Sequence, residues 1–304
     1  TSAQAVARVK KMVAKWLSDS VAISQPPSHR ASKPPYLKIG HAGTLDPLAS
    51  GVLPLALGEA TKTIADMMDA AKAYEFTVCW GEERDTDDSE GKPTQKSLSR
   101  PTDLQINDIL HKFIGNIQQT PPSYSALKIA GERAYDLARA GKIPELKARE
   151  VRVDSLVLSP HPTLPLKGGG LKETSFLCHC GKGTYIRSLA RDMGRELGCY
   201  GHITRLRRIK VGKFDQACAI SLAKLEEIGH KGGLGFLQPV ASVLDDIPAV
   251  SVTDGQAETL RRGGAVSLSL PGLVSTVAAF NGDELVAICE PAGGQLKPRR
   301  VFNY

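Results

Sequence analysis

The sequence predicts an α+β chain, because helical periodicity and strand alternation both occur along it. Strand alternation is clearest over residues 74–80, where every second residue is aromatic or valine. Asn281-Gly282-Asp283 lies between two apolar runs and predicts a β-hairpin near the C-terminus. The first segment has one apolar helical face, made of Val6, Val9, Met12, Val13, Trp16 and Leu17.

The same reasoning assigns the other elements in chain order. Helices are predicted from Gly58 to about Ala71, over 131–140, from Ile186 to Leu197, and briefly over 254–262; strands are predicted at 149–158, 174–177 and 202–213. Residues 22–38 form a polar, proline-rich loop, and residues 159–172 form another loop. Composition shifts near residue 240, which predicts a large domain over 1–240 and a small, mainly β domain over 241–304.

Charge and cysteine content narrow the function classes. The net charge of +7 and the pI near 9.0 suit a polyanionic partner, although many basic proteins bind no nucleic acid. The six cysteines are scattered without a paired CxxC framework, which favours a reduced, cytoplasmic setting. We find no apolar run that could span a bilayer and no signal peptide, and we expect no membrane partner. The sequence Cys178-His179-Cys180 suggests zinc, but alternation turns His179 away from both cysteines, which favours strand packing and no metal site.

The run from His41 to Leu53 carries the strongest chemical signal. Its only acid, Asp46, lies among glycines, a proline and small or apolar residues. A carboxylate in such surroundings needs a cation as its partner. An ordinary Asp-Pro turn is the alternative interpretation of the acid taken alone.

The whole run resembles the catalytic motif of the TruB family of pseudouridine synthases, and the matching residues are Gly40, His41, Gly43, Leu45, Asp46, Pro47, Ala49, Gly51 and Leu53. The resemblance implies that Asp46 is the catalytic aspartate. It also implies a mixed central β-sheet flanked by helices and loops, followed by a small PUA-like RNA-binding domain. In this family a strand with a Lys-Pro motif precedes the first helix; we expect that strand to be missing here, which leaves the activity of this exact chain open.

Two later blocks extend the resemblance. In Lys182-Gly183-Thr184-Tyr185-Ile186-Arg187, the resemblance implies that Arg187 pairs with Asp46 and that Tyr185 lines the uracil pocket. The family pattern also places Leu206 at that pocket and an active-site tyrosine at Tyr74. His41 is either a wedge that fills the space left by a flipped base or a structural histidine.

Cationic residues outside these motifs allow two interpretations each. Lys62 is either a phosphate contact or a solvated helix lysine. Arg191 and Arg195 recur at four-residue spacing after Arg187, and a solvated stripe is the default interpretation. The 202–213 strand carries five cations, which indicate an RNA-backbone role through Arg205, Arg207 and Arg208 or an ordinary solvated edge.

The segment Asp85–Gly91 is acidic, but the spacing of its acids does not match the calcium-loop pattern, and we predict a surface turn.

The function that the resemblance implies is isomerisation of uridine 55 in the T loop of tRNA. The target base must be flipped out of its stack, and Asp46 serves either as nucleophile or as stabiliser of the cleaved sugar. The reaction needs no redox change, so we expect no cofactor, and we expect no obligatory protein partner. Two alternatives stay open: an RNA-guided synthase subunit that needs partner proteins, and an RNA-binding or RNA-folding module whose main role is not catalytic.

Overall fold

The computed structural model of the chain describes residues 1–24, 38–129, 131–142, 146–159, 164–165, 170–230, 235–244, 247–268 and 275–303. Most of the proline-rich loop predicted at 22–38 lies outside these residues, as do most of the glycines of the predicted 159–172 loop. The helices in chain order are α1 (Ser2–Ser24), α2 (Ile64–Asp69), α3 (Asp103–Leu110), α4 (Ala134–Arg139), α5 (Ile186–Glu196), α6 (Leu222–His230) and α7 (Asp254–Arg261).

The strands in chain order are β1 (Ile39–His41), β2 (Ser50–Gly51), β3 (Leu55–Leu57), β4 (Lys72–Trp80), β5 (Glu82–Arg84), β6 (Pro93–Lys96), β7 (Gly115–Gln119), β8 (Lys128–Ile129), β9 (Glu132–Arg133), β10 (Arg149–Leu158), β11 (Leu164–Pro165), β12 (Leu171–Cys180), β13 (Gly201–Val211), β14 (Phe214–Asp215), β15 (Ala249–Ser251), β16 (Val266–Ser267), β17 (Val277–Asn281), β18 (Glu284–Ala292) and β19 (Gln295–Val301). The α+β class is therefore confirmed.

The described residues divide into two compact units. One unit contains Thr1–Ser2, Gly43–Pro54 and Met68–Ala219, and the other contains Ala3–Ala42, Leu55–Met67 and Ile220–Tyr304. The first unit is built on a mixed eight-stranded sheet with the strand order β14-β13-β4-β12-β10-β7, to which β2 and β11 add at the sides. The second unit contains the antiparallel pair β1-β3 and a five-stranded sheet of order β15-β17-β18-β19-β16.

The central strand β4 explains where the core of the first unit lies. As its alternation predicts, Phe76, Val78 and Trp80 are buried on one face, and Tyr74 packs at the edge of the same cluster. The Phe76 ring stacks on Phe176 of β12 at 5.2 Å between ring centroids. Helix α5 covers this face through Leu189, Ala190 and Met193, so its N-terminus is fixed beside the sheet.

Three predicted elements differ from the observed ones. The helix expected from Gly58 begins as a 3-10 turn over Gly58–Thr63 and becomes α-helical only in α2. The helix expected over 131–140 begins at Ala134, because β8 and β9 form a short hairpin just before it. The loop expected over 159–172 contains β11, which pairs with β12.

Candidate active site

Asp46 lies in a tight turn just before β2. The Ala49 amide donates to the Asp46 carbonyl at 2.9 Å, and the Leu45 amide donates to the Ser2 hydroxyl at 2.8 Å. The Asp46 side chain remains 30% exposed. The loop is therefore held through its backbone, while its carboxylate is accessible.

Arg187, in the first turn of α5, holds this carboxylate with two parallel hydrogen bonds. Arg187 Nε donates to Asp46 Oδ2 at 2.8 Å, and Arg187 Nη2 donates to Asp46 Oδ1 at 2.9 Å. The Arg187 side chain is only 5% exposed. This is the ion pair that the sequence resemblance implied, and the planar guanidinium fixes the orientation of the carboxylate as well as its charge.

The remaining donors of Arg187 are anchored by other segments of the chain. Its Nη1 donates to the Thr86 carbonyl at 2.8 Å, and its Nη2 donates to the Tyr124 carbonyl at 2.9 Å. The Asp88 carboxylate lies 3.8 Å from Arg187 Nε. Burial lowers the pKa of Arg187, but the carboxylates of Asp46, Asp88 and Asp87 outweigh this effect and raise it above the ordinary value.

The prediction of a surface turn at Asp85–Gly91 is wrong for its two central acids. Asp87 and Asp88 are both buried. Asp87 has a positive φ of 60°, and its carbonyl accepts from the Ile203 amide at 3.1 Å. The Ser89 amide in turn donates to the Ile203 carbonyl at 2.9 Å. These backbone bonds fold the turn against β13 and carry its carboxylates inward to the arginines of α5.

The solvated stripe predicted for Arg191 and Arg195 is wrong for Arg191. Arg191 is buried and its Nη1 lies 3.0 Å from Asp87 Oδ2. Arg195 is half exposed and holds Glu83 with two hydrogen bonds of 2.7 Å. Three arginines of one helix therefore pair with acids of one hairpin.

Arg208 was predicted to contact the RNA backbone, and its burial in the structure contradicts this prediction. It is 2% exposed, its Nε donates to the Val52 carbonyl at 2.8 Å, and its Nη2 donates to the Gly43 carbonyl at 3.1 Å. Strand alternation explains this placement, since Arg208 points to the buried face together with Leu206. Arg208 therefore fixes both ends of the Asp46 loop and has no surface from which to contact RNA.

Gly51 is required where the Asp46 loop packs closely against the backbone of β13. Its φ is +105°, and a Cβ atom at this position would lie 2.1 Å from the Arg208 carbonyl oxygen. Only glycine accommodates both the conformation and the contact.

Tyr74 faces Arg208 from the neighbouring strand, and the two residues pair in the β4–β13 register. Burial raises the pKa of Tyr74 to about 12, although the Arg208 guanidinium, which hydrogen-bonds the phenol, opposes the shift. The negative charge of Asp46 also raises the pKa of Tyr74. Tyr74 is therefore a neutral phenol at physiological pH, close enough to Asp46 for the two to interact.

Tyr185 is the residue that precedes α5, and Gln119 holds its peptide from both sides. The Tyr185 amide donates to Gln119 Oε1 at 2.8 Å, and Gln119 Nε2 donates to the Tyr185 carbonyl at 3.1 Å. The Arg149 guanidinium lies 5.1 Å from the centre of the Tyr185 ring. The ring that the resemblance assigned to the uracil pocket is thus positioned by two residues that the sequence analysis did not single out.

Arg205 and Arg207 project from the opposite face of β13 and are exposed. They border a groove of about 520 Å³ that also contacts Leu48 and Ser50 of the Asp46 loop. Leu206, between them in sequence, is 7% exposed and belongs to the core cluster that Tyr74 packs against. The basic strand therefore presents two of its predicted RNA contacts to solvent.

Two predicted site residues belong to the second unit. His41 ends β1 and is half-buried. Lys62 Nζ donates to Glu59 Oε2 at 2.6 Å and to the Val301 carbonyl at 2.8 Å. Its ammonium is therefore committed to contacts within that unit, which favours a structural role over a phosphate contact.

Sequence reasoning missed the supports of the site. Asp87, Asp88 and Gln119 are buried polar residues that orient Arg187 or Tyr185. One signal was present, because an acidic cluster over residues 85–90 and a cationic stripe of three arginines occur in the same chain. Nothing in either segment alone indicates that the two meet.

Comparisons with known proteins identify the family of the chain. The family described as TruB family pseudouridylate synthase (N terminal domain) matches residues 31–186, and the tRNA pseudouridylate synthase B C-terminal domain matches residues 187–247. The tRNA pseudouridine synthase B of Nitrobacter winogradskyi is 50% identical over 275 residues, which cover 88% of this chain and 75% of that protein. The tRNA pseudouridine synthase B of Caulobacter vibrioides is 47% identical over 277 residues, covering 88% and 87%.

Solved structures show the same fold. An archaeal box H/ACA sRNP Nop10-Cbf5 complex matches 100% of this chain and 82% of the other with a TM-score of 0.65 at 22% identity. A Cbf5-Nop10-Gar1 complex matches 88% of this chain and 77% of the other with a TM-score of 0.63 at 25% identity.

No helix within the described residues is long and apolar enough to cross a membrane. From the family match and the extent of these identities, the chain belongs to the TruB family of pseudouridine synthases and is an isomerase.

Proposed function

We propose that this chain isomerises uridine 55 to pseudouridine in the T loop of tRNA, with Asp46 as the catalytic carboxylate. The observation that carries the proposal is the pairing of Asp46 with Arg187, in which two hydrogen bonds hold an accessible carboxylate. The substrate is supported by relatives named tRNA pseudouridine synthase B at about half identity over most of the chain.

The proposed reaction breaks the N1–C1′ bond of a flipped uridine, turns the base, and joins C5 to C1′. Asp46 attacks the sugar or stabilises it after cleavage, and the Arg187 guanidinium keeps the carboxylate ionised and aimed. Tyr74, a neutral phenol, stacks on the base or relays protons during the rearrangement, in which C5 loses its proton to solvent and N1 gains a proton from solvent. Tyr185 and Leu206 line the uracil pocket in this proposal, and His41 fills the space left in the RNA stack.

RNA binding in this proposal relies on the cationic edge of β13. Arg205 and Arg207 are exposed on one face of that strand and contact the RNA backbone. We propose that residues 1–240 form the catalytic domain and that residues 241–304, which contain the five-stranded sheet, form a small PUA-like RNA-binding domain. The protein acts in the cytoplasm in this proposal, with no cofactor and no obligatory protein partner.

The test uses a T-arm stem-loop that carries tritium at C5 of the target uridine. We expect the chain to release tritium and the Asp46→Asn variant to release none, while both bind the RNA with similar affinity. Release that requires added guide RNA and partner proteins would support an RNA-guided subunit instead. Tight binding with no release from either protein would support a binding or folding role, and loss of RNA binding in Asp46→Asn would contradict the catalytic assignment of Asp46.

A further inference from the structure

The segments that hold Arg187 are themselves held by the next arginine of α5. Arg187 donates to the carbonyls of Thr86 and Tyr124. One turn further along α5, Arg191 donates through Nη2 to the Thr120 carbonyl at 2.8 Å, and its Nη1 lies 3.0 Å from Asp87 Oδ2. Thr86 and Asp87 are neighbours in one turn, and Thr120 and Tyr124 belong to one short segment. Both arginines therefore connect the same two segments to the helix.

The Arg191–Asp87 pair is enclosed on all sides. The side chains of Arg191 and Asp87 are 9% and 7% exposed. Arg191 Nε also donates to Asp192 Oδ1 at 2.9 Å, and the Ser188 hydroxyl donates to the same Thr120 carbonyl at 2.9 Å. A buried ion pair contributes little net stability relative to a well-packed apolar replacement, and in some proteins such pairs are retained because they specify geometry. The contacts of this pair with the two segments that hold Arg187 favour a role in positioning.

We propose that Arg191 and Asp87 are positioning residues for the isomerisation: they fix the 86–88 turn and the 120–124 segment so that Arg187 keeps its two hydrogen bonds to Asp46. This inference rests on the proposed function. Neither residue touches the reacting atoms; both act through the carbonyls that Arg187 uses. Loss of the pair frees the Thr86 and Tyr124 carbonyls to shift, and the Arg187 guanidinium shifts with them.

The same helix offers a matched control. Arg195 and Glu83 form a second, more exposed ion pair two turns beyond Arg187, between α5 and the same hairpin, with two hydrogen bonds of 2.7 Å. Within the described residues, neither side chain of this pair hydrogen-bonds to the 120–124 segment or to the Thr86 carbonyl. Glu83→Gln and Arg195→Gln therefore each remove an arginine–carboxylate ion pair between the same helix and hairpin without removing a contact of Arg187.

The first measurement is the single-turnover rate of tritium release from the T-arm stem-loop with enzyme in excess, together with RNA affinity. We expect Asp87→Asn and Arg191→Met each to lower the rate constant by roughly 10- to 100-fold, the effect of an ångström-scale displacement of a catalytic group. RNA affinity stays within about twofold. The double variant is no slower than the slower single variant, because both changes remove one interaction. Arg191→Lys, which keeps the cation, recovers part of the rate.

The second measurement does not depend on activity: the solvent exchange of the Arg187 Nε proton by ¹⁵N NMR, assigned by its absence in Arg187→Lys. We expect Asp87→Asn, which preserves side-chain volume, to accelerate this exchange at least tenfold, and Glu83→Gln to leave it unchanged. Unchanged exchange in Asp87→Asn, or an equal loss of rate in the Glu83 and Arg195 controls, would overturn the inference. Failure of the wild-type chain to release tritium contradicts the proposed function alone, since the exchange measurement still decides the positioning role.

Discussion

Replacing Arg208 by methionine separates a role in the fold from a role in RNA binding. Arg208 donates from a fully buried guanidinium to the carbonyls of Val52 and Gly43, which flank the Asp46 turn. A hydrogen bond from a charged donor contributes about 1.5–3 kcal/mol, so losing both costs roughly 3–6 kcal/mol of unfolding free energy. At roughly 2–4 °C per kcal/mol, the Tm of the unit falls by about 6–24 °C.

The matched variant is Arg207→Met, one residue earlier and on the exposed face of β13. We expect its Tm to change by less than about 2 °C. If Arg207 contacts a phosphate, the slope of log affinity against log salt concentration becomes shallower by about 0.7–0.9. The Arg208→Met protein, measured below its own Tm, keeps the wild-type slope.

Differential scanning calorimetry and filter binding at four salt concentrations measure the two quantities. A shallower salt slope for Arg208→Met with an unchanged Tm would refute the reasoning, because it would mean that the guanidinium reaches RNA rather than the loop carbonyls. The opposite pattern in Arg207→Met, a large loss of Tm with an unchanged slope, would likewise contradict the division of β13 into a buried and an exposed face.

Three further predictions test other parts of the site. Arg187→Lys keeps the charge but loses the planar fork, so we expect the single-turnover rate to fall by at least about 100-fold with little change in RNA affinity, measured by tritium release and filter binding. Gly51→Ala forces a Cβ into the Arg208 carbonyl at a positive φ, and we expect denaturant unfolding to show a loss of about 2 kcal/mol or more. Burial raises the pKa of Asp87 from 3.8 to about 7, opposed by Arg191, Arg187 and Arg195 and reinforced by Glu83. Below about pH 7 the folded protein retains on Asp87 a proton that the unfolded chain has released, so stability falls as pH rises from about 4 to about 7, and the charged pair with Arg191 is complete only above this range. Urea titrations should show this slope in the wild type and its loss in Asp87→Asn.

The strands of the first unit could be predicted because their alternation is local. β4, β10 and β13 coincide closely with the predicted strands at 74–80, 149–158 and 202–213. The same alternation also predicts the position of Arg208, because a period of two places Arg205 and Arg207 on one face of the strand and Arg208 on the other. The prediction that grouped all three as RNA contacts followed their charge rather than their position.

The short elements could not be predicted in the same way. The hairpin of β8 and β9 and the pair β1–β3 consist of strands of two or three residues, which give no measurable period. The 3-10 turn at Gly58–Thr63 contains the helix formers Glu59, Ala60 and Lys62, and its hydrogen-bond pattern distinguishes it from the α-helix that follows.

The three arginines of α5 show why a helical period alone does not assign function. Arg187, Arg191 and Arg195 share one spacing, yet one holds the Asp46 carboxylate, one is buried in an internal ion pair, and one is half exposed. The three arginines differ in the acid that each of them contacts. Arg187, Arg191 and Arg195 lie beside Asp88, Asp87 and Glu83 respectively, so the acidic segment runs antiparallel to the helix.

This reversed order is geometrically consistent. Eight residues of helix from 187 to 195 rise about 12 Å, and five residues from 83 to 88 span at most about 18 Å when extended, less where the chain turns at Asp87. The two segments are about 100 residues apart in sequence, and the pairing of β12 and β13 with β4 brings them together in the folded sheet. In the role proposed above, the ion pairs then specify the position of Arg187, and the Asp87 and Arg191 variants measure this property.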